Sequence, residues 1–234
     1  MIFVQNYAYC VVFTKKWVIC GMNLLIVAAT EMEIGPLIAH LRTVQPAPAT
    51  SVLVTGVGSI ATAYSLTRHL QTNRYDLVLQ AGVGGSFDRS IKLGDVVFVV
   101  ADQYGDLGAE DHEQYLDIFE MGLLGADAAP HKDGKLHTPL SAVHERIELP
   151  RVSGITVNTV SGSEPTIKLR SEKYKATVES MEGAAFHYVC LLEGVAFAQV
   201  RAISNYVMPR DKSQWQMKDA IYNLNNWLMD FIKE

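Results

Sequence analysis

NLLIVAATEME, residues 23–33, decides the fold, because an unbroken apolar run stops on small residues and passes straight into an acidic helix start. Val, Ile and Leu without polar alternation suit a strand buried on both faces, as in parallel sheets covered by helices. Working outward, the same rhythm recurs, and strands are expected at Leu24–Ala29, Val52–Thr55, Leu77–Ala81, Val96–Val100, Ile155–Val160 and Val195–Ile203. The clearest helices are Ser59–Leu70, Glu182–Glu193 and Gln214–Phe231. In the last, Ala220, Leu224, Trp227, Leu228 and Phe231 recur at helical spacing and form one apolar face. The expected class is α/β, a single domain over residues 22–234 with a mixed, mainly parallel central sheet flanked by helices.

A chain of 234 residues with 49% hydrophobic and 19% charged side chains can bury a substantial core and lies near the upper size of one domain. Its net charge of −5 offers no basic field for phosphodiesters, so nucleic acid is not an expected partner and a small neutral or anionic ligand is. Cys10, Cys20 and Cys190 have neither disulfide nor zinc spacing, which fits a reducing cytoplasm. Residues 1–21 (MIFVQNYAYCVVFTKKWVICG) are apolar, yet Gln5 and Asn6 interrupt the run and Lys15 and Lys16 follow it. A signal peptide has its cations first and a membrane span needs about 20 uninterrupted apolar residues. The segment is therefore read as an N-terminal extension of unclear role, with no membrane attachment.

Between Asp102 and Pro150 the pattern loosens into an acidic, glycine-bearing stretch, expected to be an excursion over the sheet edge, a lid or a surface loop.

Parallel sheets bind ligands beyond the carboxyl ends of their strands. The residues just past the apolar runs are Glu31 and Glu33, Gly56-Val57-Gly58, Gly82-Val83-Gly84-Gly85, Ser161-Gly162-Ser163-Glu164, Met181-Glu182-Gly183 and Ser204-Asn205. Carboxylates, one carboxamide and much exposed backbone N–H suit a sugar-bearing ligand with a heteroaromatic end. No Cys or Ser is paired with a His as a nucleophile would be. Read unaided, Glu31 and Glu33 are also plausible first-turn acids favoured by the helix dipole, and Asn205 a strand-end cap.

IVAATEMEIGPL, VLVTGVGSIATA, VLQAGVGG with KLGDVVF, VESMEGAAFHYVC and VRAISN occur in that order. Together they resemble the methylthioadenosine/S-adenosylhomocysteine nucleosidases of the nucleoside phosphorylase-like family, over nearly all of residues 23–234. SGSEPTI and RAISNYVMPRD are more similar to futalosine hydrolases. The resemblance implies that Glu33 activates water and that Glu182 holds the ribose 2′ and 3′ hydroxyls, with Met181 packing under the sugar. It implies further that Asn205, where adenosine-type enzymes carry Asp, donates to a 6-oxopurine, with Ser204 beside it, Thr166 and Ile167 flanking the base and Asp211 as a helper. Gly84 and Gly85 would let backbone approach ribose or water; Val83 replaces a family Ser. Phosphorylases of this fold carry Arg where this chain has Gln80, so hydrolysis is expected. The implied substrate is futalosine, the products hypoxanthine and dehypoxanthinylfutalosine of menaquinone synthesis, and subunits are expected to pair. Arg210 is a candidate for the carboxylated 5′ extension.

Gly56-Val57-Gly58-Ser59-Ile60-Ala61 formally fits a dinucleotide fingerprint. It follows the second strand, though, and no acid ends the next one, so no nicotinamide or other cofactor is expected. His131, His137 and His144 lack metal spacing, and no metal is expected either; His187 is expected to pack.

Overall fold

The computed structural model describes residues 22–44, 49–112 and 114–233; the extension expected over residues 1–21 lies outside them. The strands are β1 (Asn23–Ala28), β2 (Ala49–Val54), β3 (Leu77–Ser86), β4 (Val96–Asp102), β5 (Gly108–Asp111), β6 (Gln114–Asp117), β7 (Leu136–His137), β8 (Arg151–Thr156), β9 (Val178–Ser180) and β10 (Phe197–Tyr206). The helices are α1 (Glu31–Leu41), α2 (Ser59–Thr72), α3 (Glu164–Tyr174), α4 (Gly183–Glu193) and α5 (Met217–Phe231).

Successive strand side chains point to opposite faces, so a strand apolar at every position must be covered twice. Leu24, Ile26 and Ala28 of β1 pack with Leu37 of α1 and Leu224 and Leu228 of α5, while Leu25 and Val27 pack with Leu66 of α2 and Phe186 of α4. The α/β class and the mixed, mainly parallel sheet follow from this arrangement.

The hub is β3, which changes partners along its length. One edge takes β1 in parallel and then β9 antiparallel; the other takes β10 in parallel. β10 pairs antiparallel with β4, β4 parallel with β8 and β8 parallel with β9. These five strands thus close on themselves, and β1 and β2 extend as a parallel wing.

Closure moves several expected boundaries. Gly82–Gly85 is a continuation of β3 through Ser86, not a turn, because β10 pairs along all of it and β9 joins the other edge at Gly85. The strand expected at Ile155–Val160 is β8, Arg151–Thr156; beyond it Asn158 and Thr159 bond to Asp106. β10 runs on to Tyr206. α5 begins at Met217, since Lys212–Gln214 forms a separate short turn. The 102–150 excursion carries the β5–β6 hairpin, which is tied down by Lys173 of α3 through ion pairs to Asp117 at 3.3 Å and to Glu120. No helix among the described residues is long and apolar enough to cross a membrane.

Candidate active site

Glu33, 6% exposed, folds back over the start of α1. Its Oε2 accepts the backbone N–H and the hydroxyl of Thr30, both at 3.0 Å, which closes a capping box. Oε1 accepts the Val83 N–H of β3 at 3.0 Å. One oxygen thus caps α1 and the other reaches β3; Glu31 is exposed.

Glu182, 5% exposed, is the N-cap residue of α4, but its side chain makes no capping bond. Oε1 instead accepts the Gly58 N–H at 3.1 Å, and Oε2 lies 3.3 Å from Nη1 of Arg201. Gly56 and Gly58 have φ of +91° and +90°, a region that favours glycine, so the turn resembling a dinucleotide fingerprint serves to aim an N–H at Glu182.

Arg201 was not singled out from the sequence. It is fully buried on β10, with Nη2 donating to Gln80 Oε1 at 3.0 Å and Nη1 to Glu182 and to the Val83 carbonyl at 3.4 Å. A cation inside the apolar VRAIS run was the available signal, since a charge there requires a buried partner. A Cβ on Gly82 would lie 2.6 Å from Arg201 Nη1 and 2.8 Å from Glu33 Oε1. Glu33 Oε1 and Arg201 Nη1 thus flank the bare backbone of Gly82, and Glu182 pairs with the same Nη1. Val83 takes part through its backbone alone, and the Gln80 carboxamide is committed to Arg201.

Asn205 is aimed by an irregularity. Ile203 sits opposite Gly84 and Asn205 opposite Gly85, so Ser204 is an extra residue in β10, the kind of bulge that redirects a side chain. The Ser204 hydroxyl donates to Asn205 Oδ1 at 2.9 Å, with the Gly84 carbonyl 3.3 Å away as a second acceptor. Asn205 Nδ2 donates to the Tyr206 carbonyl at 3.0 Å, which leaves a second hydrogen for a ligand. Asn205 lines a small recess with Gly85, Val160, Ser161, Arg210 and Trp215, and the Arg210 guanidinium stacks 5.3 Å over the Trp215 ring.

Thr166 and Ile167 were expected at the base but fall in the first turn of α3, where Thr166 lines a separate recess with Asp106, Tyr115 and Arg170. The chain turns away at Glu164, so Val160–Ser161 is what faces Asn205. That segment is held by buried Glu179, which accepts the Ser161 N–H at 2.8 Å and hydroxyl at 2.5 Å and pairs with Arg170 at 3.2 Å. Asp211 caps the 212–214 turn through Ser213 and Gln214, bonds that hold its carboxyl below the usual range, and it does not line the Asn205 recess. Met181 is half-buried, with its carbonyl 3.3 Å from the Ser59 hydroxyl. No described residue of the 102–120 stretch lines the recess. His187 packs in the core with Nδ1 on the Leu136 carbonyl at 2.9 Å. Among the described residues no cluster of His, Cys, Asp or Glu is placed to hold a metal.

Residues 25–233 match the family model of the phosphorylase superfamily. The futalosine hydrolase of Streptomyces coelicolor is 30% identical over 182 residues, covering 75% of either chain. That of Thermus thermophilus is 28% identical over 182 residues, covering 72% of this chain and 75% of the relative. Among solved structures, the methylthioadenosine/S-adenosylhomocysteine nucleosidase of Neisseria meningitidis superposes with a TM-score of 0.74 at 15% identity, covering 90% of this chain and 98% of that one. The futalosine hydrolase of Helicobacter pylori does so with a TM-score of 0.73 at 17% identity, covering 90% and 97%.

Proposed function

This chain belongs to the phosphorylase superfamily, and from that premise we propose that it is a futalosine hydrolase, releasing hypoxanthine and dehypoxanthinylfutalosine with water as a step of menaquinone synthesis. The observation that carries the reading is that Glu33 and the Arg201 guanidinium paired with Glu182 both face the bare backbone of Gly82.

Water attacks C1′ as the bond to the purine nitrogen breaks; Glu33 takes the water's proton, the bonding electrons leave with the base, and the base takes up a proton from solvent to become hypoxanthine. Glu182 accepts hydrogen bonds from the 2′ and 3′ hydroxyls, which strengthen as positive charge grows on the ring. Asn205 Nδ2 donates to O6 or N7 of the 6-oxopurine. Burial of Gln80 against Arg201, in the place of the phosphorylases' phosphate-binding Arg, favours water over phosphate as the acceptor. Arg210, on the rim of the recess, receives the substrate's carboxylate. The enzyme works in the cytoplasm as a homodimer, a pairing supported by exposed Val57, Ile60 and Tyr64 at the start of α2.

The test is to incubate the protein with futalosine, inosine and methylthioadenosine in phosphate-free buffer and to identify the free base by chromatography. Hypoxanthine from futalosine is expected. Preferential adenine release, or strict dependence on phosphate, would overturn the reading.

A further inference from the structure

Glu182 stands at the N-cap of α4 yet turns both oxygens away from that helix, so the first-turn N–H groups are met from elsewhere. Ser180 Oγ accepts the Gly183 N–H at 3.3 Å, and Thr156 Oγ1, at the end of β8, accepts the Ala184 N–H at 2.6 Å. The Thr156 hydroxyl in turn donates to Asp102 Oδ1 at 2.9 Å, an oxygen that also accepts the Gln103 N–H at 2.8 Å. Asp102 and Thr156 are buried, 1% and 3% exposed.

The other Asp102 oxygen faces the Gln199 carboxamide without a well-formed hydrogen bond and lies against the Cα of Gly183, where a Cβ would be 2.1 Å from it and 2.4 Å from Gln199 Nε2. Only a glycine directly after Glu182 admits this packing. A carboxylate buried with an oxygen so poorly partnered lowers stability by itself, so its presence is accounted for by what it holds. Glu is a poor N-cap residue, whereas hydroxyl and short acidic side chains are good ones, and negative charge is favoured at a helix N-terminus.

We infer that Asp102 is a positioning residue for Glu182: acting through Thr156, it caps α4 in place of the N-cap residue and so leaves the Glu182 carboxylate free to face Gly58, Arg201 and the ribose. The inference rests on the ribose-binding role proposed for Glu182. It assigns a task to the root of the 102–150 excursion, whose first residue reaches the site through a helix end.

The experiment compares kcat/KM for futalosine and for its 2′-deoxy analogue, both measured on one preparation of each variant so that the folded fraction cancels from the ratio. Thr156→Val removes the acceptor of the Ala184 N–H and Asp102→Ala the group that orients the Thr156 hydroxyl, and each is expected to shrink the ribose-to-deoxyribose ratio at least about tenfold, the loss falling on futalosine. Thr156→Ser and Asp102→Asn keep the donor and acceptor and are expected to restore it. Equal slowing of both substrates would mean a merely structural role and overturns the inference. Glu182→Gln is the control: if it leaves the ratio unchanged, the ribose reading itself falls and this inference with it. If Glu182→Gln collapses the ratio while Thr156→Val does not, only the inference falls.

Discussion

The Glu33 carboxylate accepts the backbone N–H of Val83 at 3.0 Å, joining the first turn of α1 to the glycine-bearing half of β3 across fifty residues of chain. One acid thereby serves both as a helix cap and as the acceptor for a β3 backbone N–H.

Glu33→Gln should separate these duties. An amide can still accept from Val83 but turns N–H toward the two Thr30 donors, so a loss of about 1 kcal/mol in stability is expected from the cap. Turnover should fall about 10²- to 10⁴-fold with little change in KM, the loss of a general base. Base release and thermal unfolding measure the two effects separately.

Arg201 and Glu182 should prove non-additive. Arg201→Leu or Glu182→Gln leaves one buried charge uncompensated, at a cost of about 3–5 kcal/mol, whereas the double variant should lose clearly less than the sum. Activity on futalosine should fall in all three while remaining measurable. Urea titrations of the four proteins complete the cycle, and simple additivity would mean that the pair is not coupled.

Gly82→Ala should impair activity more than folding. The new methyl meets Arg201 Nη1 at 2.6 Å and Glu33 Oε1 at 2.8 Å, so both side chains must shift from their present geometry. A displacement of that size corresponds to roughly a hundredfold loss in kcat. Circular dichroism should remain that of the parent protein.

Two buried groups should give opposing pH dependences. Burial raises the Asp102 carboxyl from 3.8 to about 6, against the lowering effects of Thr156, Arg201, Gln199 and the Gln103 N–H. Its contribution to stability is present below pH 3.8 and is lost as pH rises through about 6. Burial lowers His187 from 6.5 to about 4, opposed by the Leu136 carbonyl and Gln199 and helped by Arg201 and His137. Its contribution is present above 6.5 and is lost as pH falls through about 4. The two trends offset one another in the parent protein. In Asp102→Asn only the histidine's remains, so between pH 4 and 6 the variant should gain on the parent by on the order of 3 kcal/mol. Denaturant midpoints across that range decide it, and a constant difference refutes it.

Asn205→Asp should weaken action on a 6-oxopurine. The carboxylate has no hydrogen to offer O6 or N7 and faces the Tyr206 carbonyl that now accepts from Nδ2 at 3.0 Å. A fall in kcat/KM of about a hundredfold on futalosine is expected, with relatively better action on a 6-aminopurine. The ratio of hypoxanthine to adenine released from a mixed-substrate assay reads this directly.

The sequence by itself determined the sheet's character and the positions where chemistry gathers. Leu24 to Ala28 could only be a strand covered on both faces, and Glu33, Glu182 and Asn205 all stand where apolar runs give out, features read from neighbours a few residues apart. Tertiary structure alone decided that β3 would change partners and close the sheet, that Gly58 would serve Glu182, and that Arg201 would pair with Glu182 beside Gly82. It also set Ser161 beside Asn205 with Thr166 in a separate recess, and Asp102 and Thr156 at the head of α4. Those outcomes join residues tens to more than a hundred positions apart. They are settled by which buried charges and N–H groups can find partners once water is excluded, a condition that no local pattern of side chains encodes.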